Sequence, residues 1–195
     1  MAVLITGGAR SGKSAFAEQY AAHLSEHGFY IATLLPYDEE MRERIRLHRE
    51  DRHATGFRWI TVEAPLDLEF ILCDLAKKDY DERPPVVLVD CLTLWLTNWM
   101  IRLSGQNDEW TKERESELCG IVDSLVQTAE RYPLPLLFVT NEVGSGIVPE
   151  YPLGRRFRDA AGRLNQRMAA VSEKVFLVTA GIPVELKSIA FGRHQ

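Results

Sequence analysis

Cysteine is scarce in this chain and is not spaced to form a framework. Three cysteines occur among 195 residues, and Cys73, Cys91 and Cys119 are far apart, with no Cys-x-x-Cys pair. An odd number at such spacing argues against a disulfide scaffold and against a structural zinc site. We therefore expect a protein of the reducing cytoplasm.

Positive charge is not in surplus, and long apolar runs are missing. The chain carries 23 lysine and arginine residues against 28 acidic ones, a formal net charge of −5. This balance gives no general attraction to nucleic acid or to an anionic membrane, so an anionic ligand needs a local site. Polar or charged residues interrupt each apolar run before it reaches membrane-spanning length. A small-molecule partner is favoured, with neither nucleic-acid binding nor membrane insertion.

Hydrophobic residues, in contrast, are abundant. They make up 46% of the 195 residues, which is enough to bury one sizeable core and little for two. We therefore expect a single domain that spans residues 1–195.

A glycine-rich motif follows the apolar run of residues 2–5. Residues 7–14 read Gly-Gly-Ala-Arg-Ser-Gly-Lys-Ser, a complete Walker A pattern whose backbone amides surround phosphate groups. Within it, Lys13 can reach the β- and γ-phosphate oxygens, and Ser14 can offer its hydroxyl to Mg²⁺. An ordinary glycine-rich turn is the alternative. The amphipathic pattern of residues 15–24 completes the order strand, loop and helix, which favours binding of a nucleoside triphosphate.

Apolar segments alternate between the period of a strand and that of a helix along the rest of the chain. The predicted strands are residues 2–5, 29–34, 57–62, 86–89, 136–140, 175–178 and 184–186. The predicted helices are residues 15–24, 39–50, 66–75, 92–103, 113–130 and 154–171. Such alternation predicts a three-layer α/β fold with a mostly parallel sheet. The loops after the first, second, fourth and fifth strands should then meet at the carboxyl edge of the sheet, where ligands bind in such folds.

Asp90 ends a run of four aliphatic residues, Val86 to Val89. This is the form of a Walker B carboxylate, which holds Mg²⁺ directly or through water. The structural alternative is an N-cap of the helix that follows, because aspartate is favoured there. Both roles can coexist.

His48 lies within residues 39–52, a charged segment that also contains five arginines. Neutral imidazole is available near pH 7 and can attack the α-phosphate of a nucleotide, which gives a phosphoramidate. Alternating charges, however, usually indicate a solvated helix face, and the residues alone favour that interpretation.

A second basic cluster lies in the predicted helix of residues 154–171. Its arginines are Arg155, Arg156, Arg158, Arg163 and Arg167. Two interpretations remain open: an anion-binding helix, or ion pairs of Asp159 with the arginines four residues away on either side.

Several blocks of the sequence together resemble one family. They are residues 5–14, residues 30–33, residues 44–52, Trp59-x-Thr61-x-Glu63, Asp90-Cys91-Leu92-Thr93, residues 140–149 and Phe157-Arg158-Asp159-x-x-Gly162-x-x-Asn165-Gln166. The chain is similar, nearly end to end, to the bifunctional adenosylcobinamide kinase/adenosylcobinamide-phosphate guanylyltransferases of cobalamin biosynthesis. Its segment between Arg52 and Trp59 is longer than the family pattern.

The resemblance implies two reactions with ATP and GTP as substrates and Mg²⁺ as cofactor. The hydroxyl of adenosylcobinamide is phosphorylated, and GMP is then transferred from GTP to that phosphate, which releases pyrophosphate and gives adenosylcobinamide-GDP. A histidine carries GMP covalently in the family, and His48 occupies the matching position. The resemblance also implies a RecA-like P-loop fold and an oligomer, a trimer.

By the same resemblance, the catalytic residues are His48 and Lys13, and the metal-binding residues are Ser14 and Asp90. The residues implied to contact nucleotide are Gly7, Gly8, Ala9, Arg10, Ser11, Gly12, Lys13, Ser14, Ala32, Thr33, Leu34, Arg49, Glu50, Asp51, Arg52, Glu63 and Asp90. Whether one nucleotide site serves both reactions, or two sites exist, stays open.

Two other functions compete with this one. A P-loop kinase with a single activity would transfer a γ-phosphate without forming a covalent nucleotide. A nucleotide-controlled switch would not be an enzyme, but the chain lacks the Asn-Lys-x-Asp sequence that commonly reads guanine.

Overall fold

A computed structural model of the chain describes residues 1–35, 56–80, 83–105 and 110–192. The predicted helix of residues 39–50 lies outside these ranges. The same is true of His48 and of residues 49–52.

Within the described ranges, seven strands form one sheet. They are β1 (Ala2–Thr6), β2 (His27–Ala32), β3 (Arg58–Glu63), β4 (Val86–Asp90), β5 (Leu136–Val139), β6 (Lys174–Thr179) and β7 (Ile182–Glu185). Their order across the sheet is β3-β2-β4-β5-β1-β6-β7. Neighbouring strands are parallel except for β6 and β7, which are antiparallel. The carboxyl ends of the six parallel strands therefore share one edge.

Five helices are described alongside the sheet. They are α1 (Lys13–Leu24), α2 (Leu68–Ala76), α3 (Leu92–Ser104), α4 (Lys112–Glu130) and α5 (Pro152–Val171). Residues that are favoured at helix starts occur at the beginning of α4 and α5. The Thr111 side chain accepts a hydrogen bond from the Arg114 backbone amide at the start of α4, and α5 has proline in its first turn, where the missing amide proton costs nothing.

The core has two parts, one on each face of the sheet. Ala17 and Ala21 of α1 pack with strand residues such as Val3 and Leu88 on one face. Helices α2 to α5 cover the other face, where Phe138 of β5 lies in the larger cluster. The strands of such a sheet are buried on both sides, which is why β1, β4 and β5 are continuous apolar runs.

The fold is thus a three-layer α/β fold with a mostly parallel sheet, as the sequence predicted. Each predicted element within the described residues is present, and its ends differ from the prediction by at most two residues. Within the described ranges, no helix combines the length and the apolar character needed to cross a membrane.

Candidate nucleotide site

The Walker A residues form the loop that connects β1 to α1. Gly12 is the N-cap of α1 and has a φ of 93°, a left-handed conformation that glycine adopts without strain. No side chain of the described residues caps the helix there, so the amides of its first turn stay available to a ligand. A helix N-terminus with free amides is a favourable place for phosphate groups.

The loop lies directly on β6 and on the turn after it. A Cβ atom at Gly7 would lie 2.4 Å from the backbone oxygen of Val178 and 2.6 Å from the Ser11 hydroxyl, so only glycine fits. The Gly181 amide donates to the Ser11 carbonyl at 2.9 Å. These contacts fix the loop against β6 and the turn after it.

Lys13 and Ser14 are the first two residues of α1. The Lys13 ammonium group donates to the Gly8 carbonyl at 3.1 Å and thus stays against the loop. Both side chains are partly buried. A cation and a hydroxyl therefore stand beside the free amides of the same helical turn.

Asp90 ends β4 and is level with Ala32 of β2 and Val139 of β5. Residues two apart on a strand share a face, and Leu88 packs in the cluster with α1. The Asp90 carboxylate is therefore on the α1 face of the sheet. The hydroxyl of Tyr30, a buried residue of β2, donates to Asp90 Oδ2 at 2.9 Å.

The loops beyond Asp90 are tied together by buried polar groups. The Thr33 hydroxyl donates to the Cys91 carbonyl at 2.7 Å and accepts from the Cys91 amide at 2.8 Å. The Asn98 amide group donates to the carbonyls of Thr33 and Pro65, at 2.8 and 3.0 Å. Helix α3 thereby fixes the segments that follow β2 and β3.

The Cys91 thiol takes no part in acid–base chemistry near neutral pH. Burial, and next the negative charge of Asp90, raises the pKa of this thiol to about 12. A thiol that stays protonated is a poor nucleophile.

A second buried network joins the loop after β5 to helix α5. The Thr140 hydroxyl donates to Asn165 Oδ1 at 2.7 Å, and Asn165 Nδ2 donates to the Asn141 carbonyl at 3.1 Å. The Asn141 amide donates to the Thr93 hydroxyl at 2.7 Å. The Glu142 amide donates to the Gly7 carbonyl at 3.0 Å, which joins this loop to the phosphate loop.

The described residues of the predicted nucleotide set lie along one edge of the sheet, in the loop after β1, at the start of α1, at and after the end of β2, and at the ends of β3 and β4. Gly8, Ala9, Arg10, Gly12 and Glu63 are exposed; Ser11, Lys13, Ser14, Ala32, Leu34 and Asp90 are partly exposed; Gly7 and Thr33 are buried. The Thr33 hydroxyl bonds to the Cys91 backbone, and the Thr33 amide and carbonyl bond to the Asp90 carbonyl and the Asn98 side chain.

Comparison with known proteins agrees with this geometry. The family model described as cobinamide kinase / cobinamide phosphate guanyltransferase matches residues 3–186. The chain belongs to this family.

Curated members of the family match almost the whole chain. The bifunctional adenosylcobalamin biosynthesis protein CobU of Salmonella typhimurium is 41% identical over 191 residues, which cover 96% of this chain and 100% of that protein. The Escherichia coli protein of the same name is 42% identical over the same shares. The bifunctional adenosylcobalamin biosynthesis protein CobP of Pseudomonas aeruginosa is 41% identical, over 94% of this chain and 96% of that protein.

Solved structures place this family member in a wider fold class. An ATPase of the type III secretion system of pathogenic bacteria superposes with a TM-score of 0.55 at 11% identity, over 91% of this chain and 51% of that chain. At this identity the likeness concerns the fold alone. The arrangement is a three-layer, RecA-like P-loop NTPase fold, as predicted.

The arginines of α5 are mostly engaged within the protein. Arg163 bonds to Glu115 of α4 at 2.5 Å, and Arg167 pairs with Asp123 of the same helix. Arg155 donates to two backbone carbonyls in the loop before α5. Internal pairing, one of the two predicted interpretations, therefore describes much of this cluster, but the partners of Arg163 and Arg167 belong to α4 and not to α5.

Sequence reasoning assigned no role to Tyr30, and it considered Asn165 only as an amide group beside the basic cluster of residues 154–171. Both belong to blocks that carried the family resemblance, but their contacts join residues that are 60 and about 25 positions apart. Membership of these blocks was the signal that the sequence offered for both residues.

Proposed function

We propose that this protein phosphorylates the hydroxyl of adenosylcobinamide with ATP or GTP and then transfers GMP from GTP to the resulting phosphate. The products of the second reaction are adenosylcobinamide-GDP and pyrophosphate. The observation that carries the proposal is a family match over nearly the whole chain, combined with a phosphate loop and Asp90 on the same face of the sheet.

The kinase step needs positioning and charge neutralisation more than covalent chemistry. The free amides at the start of α1 and the Lys13 ammonium group bind the β- and γ-phosphates. The Ser14 hydroxyl and the Asp90 carboxylate are both hard oxygen donors, and they would hold Mg²⁺, which typically takes few protein ligands beside phosphate oxygens. When bound, Mg²⁺ neutralises charge on the phosphates.

The guanylyl transfer step uses His48. Its neutral imidazole attacks the α-phosphorus of GTP, a P–N bond forms, and pyrophosphate leaves with the electron pair of the broken P–O bond. A phosphate oxygen of adenosylcobinamide phosphate then attacks the same phosphorus and releases the imidazole. The nucleotide contacts proposed beyond the phosphate loop are Ala32, Thr33, Leu34, Arg49, Glu50, Asp51, Arg52 and Glu63.

We also propose the domain organisation, the location and the assembly of this enzyme. Residues 1–195 form one nucleotide-binding domain, the enzyme acts in the cytoplasm, and it assembles as a homotrimer. Its partners are its small-molecule substrates.

Intact-mass measurement after incubation with GTP and Mg²⁺, under non-acidic conditions, tests the histidine step. We expect a mass increase of one GMP unit in the wild type and in His23→Ala, a matched histidine control on the exposed surface of α1. His48→Ala should show no adduct. An adduct in His48→Ala would place the nucleophile elsewhere, and its absence from every protein would favour a kinase with a single activity.

Phosphate transfer from ATP to cobinamide tests the kinase step separately. Lys13→Ala should lower its rate about 100-fold or more, because it removes a cation from the developing charge. His48→Ala should keep most of the rate. Equal losses in the two variants would contradict separate roles.

A further inference from the structure

Asn141 occupies a position that the proposed chemistry does not yet use. It follows β5, the strand between β1 and β4, and Val139 is level with both Ile5 and Asp90. Asn141 thus lies two residues beyond the line that joins the phosphate-loop strand to the Asp90 strand.

The backbone around Asn141 continues the strand pattern. Thr140 and Glu142 donate their amides to the carbonyls of Ile5 and Gly7, at 2.9 and 3.0 Å, as consecutive bonds of a parallel ladder do. The Thr140 side chain points to α5, where Asn165 Oδ1 accepts a hydrogen bond from the Thr140 hydroxyl. Since side chains alternate along an extended chain, Asn141 points to the opposite face, which carries α1 and the Asp90 carboxylate.

The Asn141 side chain has an unused acceptor there. Its Oδ1 atom is buried and has no hydrogen-bond partner among the described residues. The backbone of the same residue is held on both sides, by the Thr93 hydroxyl and by the Asn165 amide group. A buried acceptor without a partner costs free energy, so its retention next to a phosphate site points to a ligand that donates a hydrogen bond.

We propose that Asn141 Oδ1 accepts the hydrogen bond of the alcohol that is phosphorylated, and that Asn165 is a positioning residue for it. This proposal rests on the proposed kinase function. At the reacting centre the phosphate oxygens only accept hydrogen bonds, whereas the alcohol that is phosphorylated brings an O–H donor to a carbonyl oxygen. The bond directs the oxygen lone pair at the γ-phosphorus.

The transfer itself leaves Asn141 chemically unchanged. The alcohol oxygen forms the new P–O bond, and the bond from the γ-phosphorus to the bridging oxygen breaks with its electrons left on the nucleoside diphosphate. The hydroxyl proton is released to water. The proposal thereby assigns a role to one residue in each of two sequence blocks, residues 140–149 and residues 157–166, whose role the sequence left open.

Stability and activity should respond in opposite ways to Asn141→Ala. The backbone bonds of Asn141 to Thr93 and Asn165 do not need the side chain, and the substitution deletes an acceptor that lacks a partner among the described residues. The melting temperature should stay the same or rise. Asn98→Ala is the matched control, because it removes an amide with two good partners and should lower the melting temperature.

Steady-state kinetics with cobinamide and Mg·ATP, together with equilibrium binding of Mg·ATP, provide the test. For Asn141→Ala we expect kcat for phosphate transfer to fall about 30- to 100-fold, the loss that misorientation of a reacting group causes. The dissociation constant of Mg·ATP should change by less than about threefold, because uniform binding is untouched. GMP-adduct formation from GTP should persist, since it involves no acceptor alcohol.

A double-substituted protein separates positioning from general damage. Asn165→Ala should also lower kcat, but adding it to Asn141→Ala should cause little further loss, because Asn165 acts through Asn141. Additive losses, an unchanged kcat in Asn141→Ala, or a loss confined to nucleotide binding would each overturn the proposal. A wild type that forms the GMP adduct but phosphorylates neither cobinamide nor adenosylcobinamide would refute the kinase function itself, and with it this proposal.

Discussion

The hydrogen bond from Tyr30 to Asp90 gives a quantitative prediction for Tyr30→Phe. The bond is 2.9 Å long and its donor is buried. A hydrogen bond to a charged group contributes about 1.5–3 kcal/mol. Asp90 is only partly buried, so water replaces part of the loss and the lower value applies. The bond also exists without metal, so this free energy is an upper limit for its effect on metal binding; about 1.4 kcal/mol corresponds to a factor of ten, and we expect Mg²⁺ affinity to weaken by up to about tenfold.

The Asp90 carboxylate loses its fixed orientation in Tyr30→Phe. Removal of an outer-shell partner of a metal ligand typically lowers metal affinity by about this factor. The readouts are the Mg²⁺ concentration at half-maximal kinase rate and Mn²⁺ binding to the nucleotide complex, followed by electron paramagnetic resonance. Tyr132→Phe is the control, because its buried hydroxyl lacks a partner among the described residues. Equal weakening in both variants, or none in Tyr30→Phe, would refute the reasoning.

Two further predictions concern side chains away from the phosphates. Iodoacetamide at about pH 8 should modify exposed Cys119 and leave Cys91 intact in the native protein, because Cys91 is buried and its pKa is raised to about 12. Peptide mass spectrometry after digestion identifies the labelled cysteines, and prompt labelling of Cys91 would contradict its burial. Burial acts to raise the pKa of Glu185, but backbone hydrogen bonds outweigh it and the pKa is lowered. The ionised Glu185 side chain therefore stabilises the protein above its unfolded pKa of about 4.3, and this stabilisation is lost as the pH falls through the folded pKa. The difference in melting temperature between the wild type and Glu185→Gln should therefore become smaller on acidification.

Much of the fold was readable from the sequence because its signals are local. The apolar run of residues 86–89 predicted β4 since both faces of a parallel strand are buried. The phosphate loop was equally clear, because the residues that form it are consecutive. The strand that was predicted at residues 29–34 is instead His27–Ala32, since its pairing with β3 begins at His27 and the Thr33 hydroxyl turns to Cys91.

Contacts between distant segments could not be predicted in the same way. Asp159 stands four residues from two arginines, which suggested ion pairs within one helix. Arg163 binds Glu115 instead, because α5 packs beside α4 and brings a carboxylate from the neighbouring helix within reach. The Tyr30–Asp90 bond likewise depends on the register of two strands, which no local pattern reveals.

The contact between the phosphate loop and the turn after β6 has a consequence for synthesis of the chain. Val178 and Gly181 support Gly7 and Ser11, yet a ribosome makes them long after it makes the loop. The phosphate-binding loop therefore has its support only when β6 and the following turn have emerged. We therefore expect nucleotide to bind and stabilise the finished sheet and not the growing chain.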